Sequence, residues 1–221
     1  MLRRALVGFS LVAAVSFTLS SAPAATVTSI DTSNAWANVV PGQSLNTNGG
    51  TWAPIAPSEV QGSVSESYRS PFDGSGSGNS PAPGWEDIWY YSVGPSPNAT
   101  VLAQLDFNSG QTSLSFLWGS VDDYNVLQFL DQGGNVFDSV SPDALFNLGA
   151  DEGSGAAFVI IQGFAQPFFG IRFGSDTNAF EFSNIATTAV PIPPALLLFG
   201  SALAGLGYLM RRRRETGPQP A

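Results

Sequence analysis

The sequence of 221 residues contains no cysteine and no histidine. Without cysteine the fold cannot depend on disulfide bonds, and no thiolate nucleophile is present. Without histidine the imidazole base of a serine hydrolase is missing, and so are the usual nitrogen and sulfur ligands of zinc, copper and iron. A glycosidase would use a pair of carboxylates, and no acidic pair stands out in the sequence. We therefore expect a protein that is not an enzyme and has no cofactor, with calcium alone left open.

Basic residues are also scarce, and most of them lie at the two ends of the chain. Of the eight, six are Arg3, Arg4 and Arg211 to Arg214. Residues 25–189, called the body below, hold sixteen acidic side chains but only Arg69 and Arg172, which leaves fourteen negative charges in excess. Such a body repels nucleic acid, and it repels acidic polysaccharides unless divalent cations bridge the two. We expect no nucleic-acid partner.

The N-terminus has the three parts of a secretory signal peptide. Met1 to Arg4 is basic, Ala5 to Leu19 is mostly apolar, and Ala22-Pro23-Ala24 supplies the small residues that precede a cleavage site. We predict a signal peptide over residues 1–24 with cleavage after Ala24, the alternative being an uncleaved anchor. The body would then lie outside the cytoplasm.

The C-terminus predicts a single transmembrane helix over residues 193–210. Residues 195–210 carry no charge and are followed directly by four arginines. Sixteen residues give a helix of about 24 Å against a hydrocarbon core of about 30 Å, and the flanking residues make up most of the difference. The positive-inside rule leaves residues 215–221 as a short cytoplasmic tail and the body on the opposite side. A helix buried in a soluble core is the alternative.

This tail closely resembles the PEP-CTERM protein-sorting signal of Gram-negative bacteria. The resemblance rests on a Val-Pro-x-Pro segment, an apolar helix containing Gly205-Leu206-Gly207, and a terminal arginine cluster. It implies that the protein is held in the inner membrane, cut by an exosortase-type enzyme, and delivered to the cell surface or an exopolysaccharide matrix. Ile192 stands where the usual signature has glutamate. The residues assigned to the signal, within 190–214, are Val190, Pro191, Ile192, Pro193, Pro194, Arg211, Arg212, Arg213 and Arg214.

The body reads as one all-β domain. Short segments of alternating apolar and polar residues are separated by Gly, Pro, Asn, Asp and Ser, which is typical of a sandwich or barrel. We predict a jelly-roll-like sandwich of two sheets over residues 25–189, with an exposed low-complexity loop at 71–84 or, alternatively, a linker there. The predicted strands are 60–68, 88–93, 100–107, 112–118, 126–130, 136–140, 156–161, 168–173 and 178–185, with a turn at Asn108-Ser109-Gly110.

A second resemblance lies inside the body. Residues 114–125, with Trp118-Gly119-Ser120 followed by Asp122, Tyr124 and Asn125, are similar to a segment found in a group of exosortase-dependent surface proteins. Residues 180–185 are similar to the closing strand of that group. The resemblance implies the β-fold and the surface location, and no reaction.

Two sets of residues are candidates for binding. Trp85, Trp89 and Tyr91 lie in a segment rich in aromatic and acidic residues, as in carbohydrate-binding faces, although core packing explains such rings better. Asp122, Asp123 and Asn125 supply close-spaced oxygen atoms that suit calcium, although such residues also make turns without any metal.

Together these features predict an exported, membrane-tethered surface or exopolysaccharide-matrix protein with a structural or adhesive role. Its expected partners are the membrane, the exosortase-type enzyme and exopolysaccharide. A carbohydrate-binding module with structural calcium is the alternative.

Overall fold

The computed structural model describes residues 25–32, 34–73, 84–85, 87–95, 102–150, 155–191, 199, 201–206, 208 and 211. Several predicted features lie outside these residues: the signal peptide 1–24, most of the loop 71–84, Ile192, Pro193, Pro194, Arg212 to Arg214, and the tail 215–221.

The body is built from antiparallel β-strands, which confirms the predicted all-β class. The ten strands within the described residues are β1 (Thr26–Asp31), β2 (Thr51–Trp52), β3 (Ser58–Gln61), β4 (Trp89–Val93), β5 (Leu102–Trp118), β6 (Asn125–Leu130), β7 (Val136–Val140), β8 (Ala157–Gln162), β9 (Phe168–Ser175) and β10 (Phe180–Ala189). Among the body residues that the structure describes, helical structure is limited to two 3-10 turns (Ala35–Asn38 and Pro41–Gln43) and the short helix α1 (Pro142–Phe146).

The strands form one continuous sheet rather than two separate ones. Its main path runs β3-β4-β10-β5-β9-β6-β7, and β1, β2 and β8 branch from it. The first part of β5 pairs with β2 and β9, while its last part pairs with β10 and β8. The register against β9 shifts between Asp106 and Gln111, as at a β-bulge, and such irregularities bend a strand. The predicted turn at 108–110 is therefore wrong, because the chain continues through it as a single strand.

The core shows how far the sheet curls. Phe173 of β9 is paired beside Ala103 of β5, and Phe182 of β10 is paired beside Trp118, fifteen residues further along β5. A straight strand would separate those two positions by about 50 Å. The rings of Phe173 and Phe182 nevertheless stack with their centroids 4.1 Å apart. The sheet must fold back on itself to enclose this aromatic core.

A second apolar layer covers the outside of the sheet near β4 and β5. Tyr90 and Leu117 point away from the main core, yet both are fully buried. Trp36 and Phe72 cover them, and the indole N–H of Trp36 donates to the carbonyl of Pro71 at 2.8 Å. Both faces of this part of the sheet are thus shielded from water.

The described part of the predicted membrane segment, residues 199, 201–206 and 208, is helical. Across the described residues, we find no helix that is both long enough and apolar enough to cross a bilayer.

Candidate functional site

A cleft of about 590 Å³ opens at one end of the curled sheet, above Glu181. Its walls come from the segment 63–69, from Ser120 after β5, and from residues 177–179 before β10. The segment 63–69 departs from the predicted strand 60–68, since β3 ends at Gln61. A tight hairpin follows, bridged between Val64 and Tyr68.

Glu181 is a buried carboxyl group that holds two loops together. It is only 1% exposed. One carboxyl oxygen accepts a hydrogen bond from the backbone N–H of Arg69 at 2.6 Å, and the other accepts one from the Ser120 hydroxyl at 2.8 Å. Its backbone carbonyl accepts the N–H of Gly119 at 2.7 Å. Glu181 therefore anchors the segment that carries Arg69 and the turn that carries Ser120.

Burial raises the pKa of Glu181 to about 8, and the nearby Asp122 carboxylate acts in the same direction. The two hydrogen bonds lower the pKa but do not cancel the burial, since both donors are neutral groups. Glu181 thus keeps its proton at neutral pH. A protonated carboxyl in a cleft could serve as a general acid, but both oxygens of this one are already engaged by the protein.

The rest of the cleft is polar and internally bonded. Arg69 pairs with Asp73 at 3.4 Å, and the Ser63 hydroxyl donates to the same carboxylate at 3.1 Å. The Asn178 amide donates to the carbonyl of Glu66 at 2.7 Å. These contacts fix the shape of the cleft.

The residues predicted to bind calcium border the same region. Asp122 and Asn125 are buried, whereas Asp123 is exposed. The Asn125 amide donates to the carbonyl of Ser120 at 3.1 Å, and its own side-chain oxygen is buried with no hydrogen-bond partner. The described residues include no group of three or more acidic side chains placed to hold a metal ion. Calcium binding here stays a prediction.

The three aromatic residues predicted to contact glycan lie in different environments. Trp89 is 48% exposed. Trp85 is half-buried and packs edge-on against Phe72 at 5.9 Å. Tyr91 is 3% exposed, and its ring packs against Trp52 and Phe182, so its assignment as a glycan contact is wrong. Tyr91 lies in the main aromatic core, whereas its neighbour Tyr90 is buried on the opposite face of β4 under the second apolar layer.

Trp89 borders a groove of about 500 Å³ that sequence reasoning did not find. The opposite wall is the segment 42–46. The Tyr91 hydroxyl donates to the carbonyl of Leu45 at 2.7 Å and so ties this wall to β4. Tyr91 therefore positions one wall of the groove, although its own side chain is buried and does not line the groove.

The sorting-signal residues are described only in part. The backbone N–H of Val190 donates to the carbonyl of Gly110 at 2.8 Å, and Pro191 is exposed. Arg211 is exposed as well.

The sequence matches no family model and no curated protein. Among solved structures, it is similar to the enzymatically active domain of tailspike protein 4 from bacteriophage CBA120, with 15% identity and a TM-score of 0.31. The match covers 72% of this chain and 24% of the tailspike domain. The chain thus spans about a quarter of the length of that structure, and so distant a likeness carries no argument about activity.

Proposed function

We propose that this chain is an exported surface or exopolysaccharide-matrix protein. A PEP-CTERM-like signal over residues 190–214 tethers it to the inner membrane and directs its processing, and its role is structural or adhesive rather than catalytic. The order of the chain supports this proposal: an export-type N-terminus, a strongly acidic body, and a Pro-rich hinge before an apolar segment and four arginines.

The main support for the proposal is the position in the sequence at which the folded body ends. Strand β10 runs to Ala189, and within the described residues the last hydrogen bond to the sheet is the one that the Val190 N–H donates to the carbonyl of Gly110. The proposed signal begins at Val190 and continues through the exposed Pro191. A sorting signal that begins at the end of the last strand can be cut or replaced without removing any part of the core.

The state of Glu181 supports a non-catalytic role. It is the carboxyl group with the most enclosed position in the cleft, and both of its oxygens bind loop groups of the protein itself. Catalysis of glycoside hydrolysis would require a free acid and a second carboxylate placed across the substrate.

We also propose that the curled sheet is jelly-roll-like, with β5 shared between its two halves.

Deleting residues 191–214 tests the proposal. Fractionation of the native host followed by immunoblotting should find the wild type in the membrane and at the surface, and the truncated chain in the medium. A matched control replaces the same residues with an unrelated membrane helix and basic cluster, which should keep the body in the inner membrane but stop its delivery to the surface. Unchanged retention of the truncated chain on the cell would refute the proposal.

A further inference from the structure

We propose that the groove between Trp89 and the segment 42–46 binds a neutral polysaccharide chain. This inference rests on the proposed function, because it identifies what a matrix protein of this kind would hold.

Trp89 provides the stacking surface. It is the first residue of β4, and nearly half of its surface is exposed although it is a large apolar ring. The next four residues of β4 are all buried, so the exposure is confined to the position that borders the groove. An exposed indole stacks well on the apolar face of a pyranose ring and can also donate a hydrogen bond through its N–H.

Two hydrogen bonds hold the opposite wall in place, and a third holds Val40 just before it. Tyr91 donates to the carbonyl of Leu45 at 2.7 Å. Asn184 of β10 donates its backbone N–H to the carbonyl of Ser44 at 3.0 Å and its side-chain amide to the carbonyl of Val40 at 2.9 Å. The wall is thus fixed to two strands of the sheet before any ligand arrives. A preformed site saves the ordering cost of binding, which matters for weak sugar contacts.

None of the residues that line the groove carries a charge. Besides Trp89 and Leu45, the lining includes Gln43 and Asn46, which offer side-chain amides. In the described part of the chain, the side-chain amide of Gln43 makes no hydrogen bond. Amides match the hydroxyl groups of a neutral sugar, whereas the acidic body disfavours a polyanion. The chemistry therefore selects neutral hexose polymers over uronic-acid polymers.

Affinity electrophoresis of the full chain in a neutral detergent tests the inference. The gels contain dextran, mannan or hydroxyethyl cellulose as neutral probes, and alginate as the acidic one. We expect at least one neutral polymer to retard the wild type and alginate not to do so. Trp89→Ala should weaken the retardation by about tenfold or more, since it removes the stacking surface. Leu148→Ala is the matched control, because Leu148 is equally exposed (50%) but is not part of the groove.

Tyr91→Phe provides a second variant that leaves Trp89 in place. It removes only the hydroxyl that binds Leu45, so we expect an intermediate loss of retardation together with an intact fold. Absence of retardation by every neutral polymer would overturn the inference, and so would a Trp89→Ala chain that behaves as the wild type. Either result would leave the cell-fractionation experiment unaffected, so failure of the groove and failure of the sorting proposal can be told apart.

Discussion

Glu181 gives the protein an unusual dependence of stability on pH. The unfolded chain releases the Glu181 proton near the ordinary value of 4.5, whereas the folded chain keeps it until about pH 8. The free energy of unfolding should therefore be highest below about pH 4.5 as far as this group is concerned, and should fall as the pH rises toward 8. The gap between the two pKa values corresponds to about 5 kcal/mol, a large share of the stability of an ordinary domain.

Glu181→Gln isolates this effect. The amide keeps the shape of the side chain, and its oxygen can accept the Arg69 N–H. Its NH2 group can donate to the Ser120 oxygen once that hydroxyl rotates, and the amide does not titrate in this pH range. As the pH rises from 5 to 7.5, the free energy of unfolding of the wild type should fall by about 3 kcal/mol relative to that of the variant. Urea unfolding of the full chain, followed by tryptophan fluorescence at a series of pH values, measures the difference.

Asp131→Asn is the control for this experiment. Asp131 is a carboxylate in the turn between β6 and β7, and hydrogen bonds from Asn135 lower its pKa. The contribution of Asp131 to stability is lost only as the pH falls through its lowered pKa. The free energy of unfolding of Asp131→Asn should therefore change with pH in parallel with that of the wild type between pH 5 and pH 8. If the free energy of unfolding of Glu181→Gln also changes with pH in parallel with that of the wild type, the inference that Glu181 is buried in its protonated form is refuted.

Two further predictions concern packing, both measured by urea unfolding. Gly119→Ala should destabilise the fold by about 1–3 kcal/mol, because a Cβ there would lie 2.7 Å from the Cβ of Glu181. Gly42→Ala, whose Cβ would meet nothing within 4 Å, should change little, and equal effects of the two would contradict the reasoning. Phe173→Ala should cost about 3–5 kcal/mol because its ring stacks on Phe182 in the closed core. A loss below about 1 kcal/mol would show that the aromatic stack does not hold the two halves of the sheet together.

The sequence predicts the fold well where the signal is local. The hairpin of β6 and β7 follows from the Asp131–Asn135 turn, in which Asp131 accepts the backbone N–H groups of Gly133 and Asn135. The inward faces of β5 also follow from alternation, since Ala103, Leu105, Leu114 and Phe116 are fully buried. Period-two patterning and turn chemistry depend on neighbours in sequence, so they can be read directly.

Prediction fails where distant segments decide the outcome. Asn108-Ser109-Gly110 reads as a turn, but Gly110 is required by close packing, since a Cβ there would lie 2.7 Å from Pro167. Alternation would expose Glu181 between Phe180 and Phe182, yet loops from far along the chain cover it. For the same reason Trp89 could be singled out from the sequence, whereas the wall of its groove could not.

The placement of β10 has a mechanical consequence. This strand is bonded to β4 on one side and to β5 on the other, and it leads directly into the proposed tether. A pull on the C-terminus would act along β10 and load both of its ladders in shear. Many hydrogen bonds would then have to break together instead of one after another, so the body would resist a pulling force applied through the proposed tether.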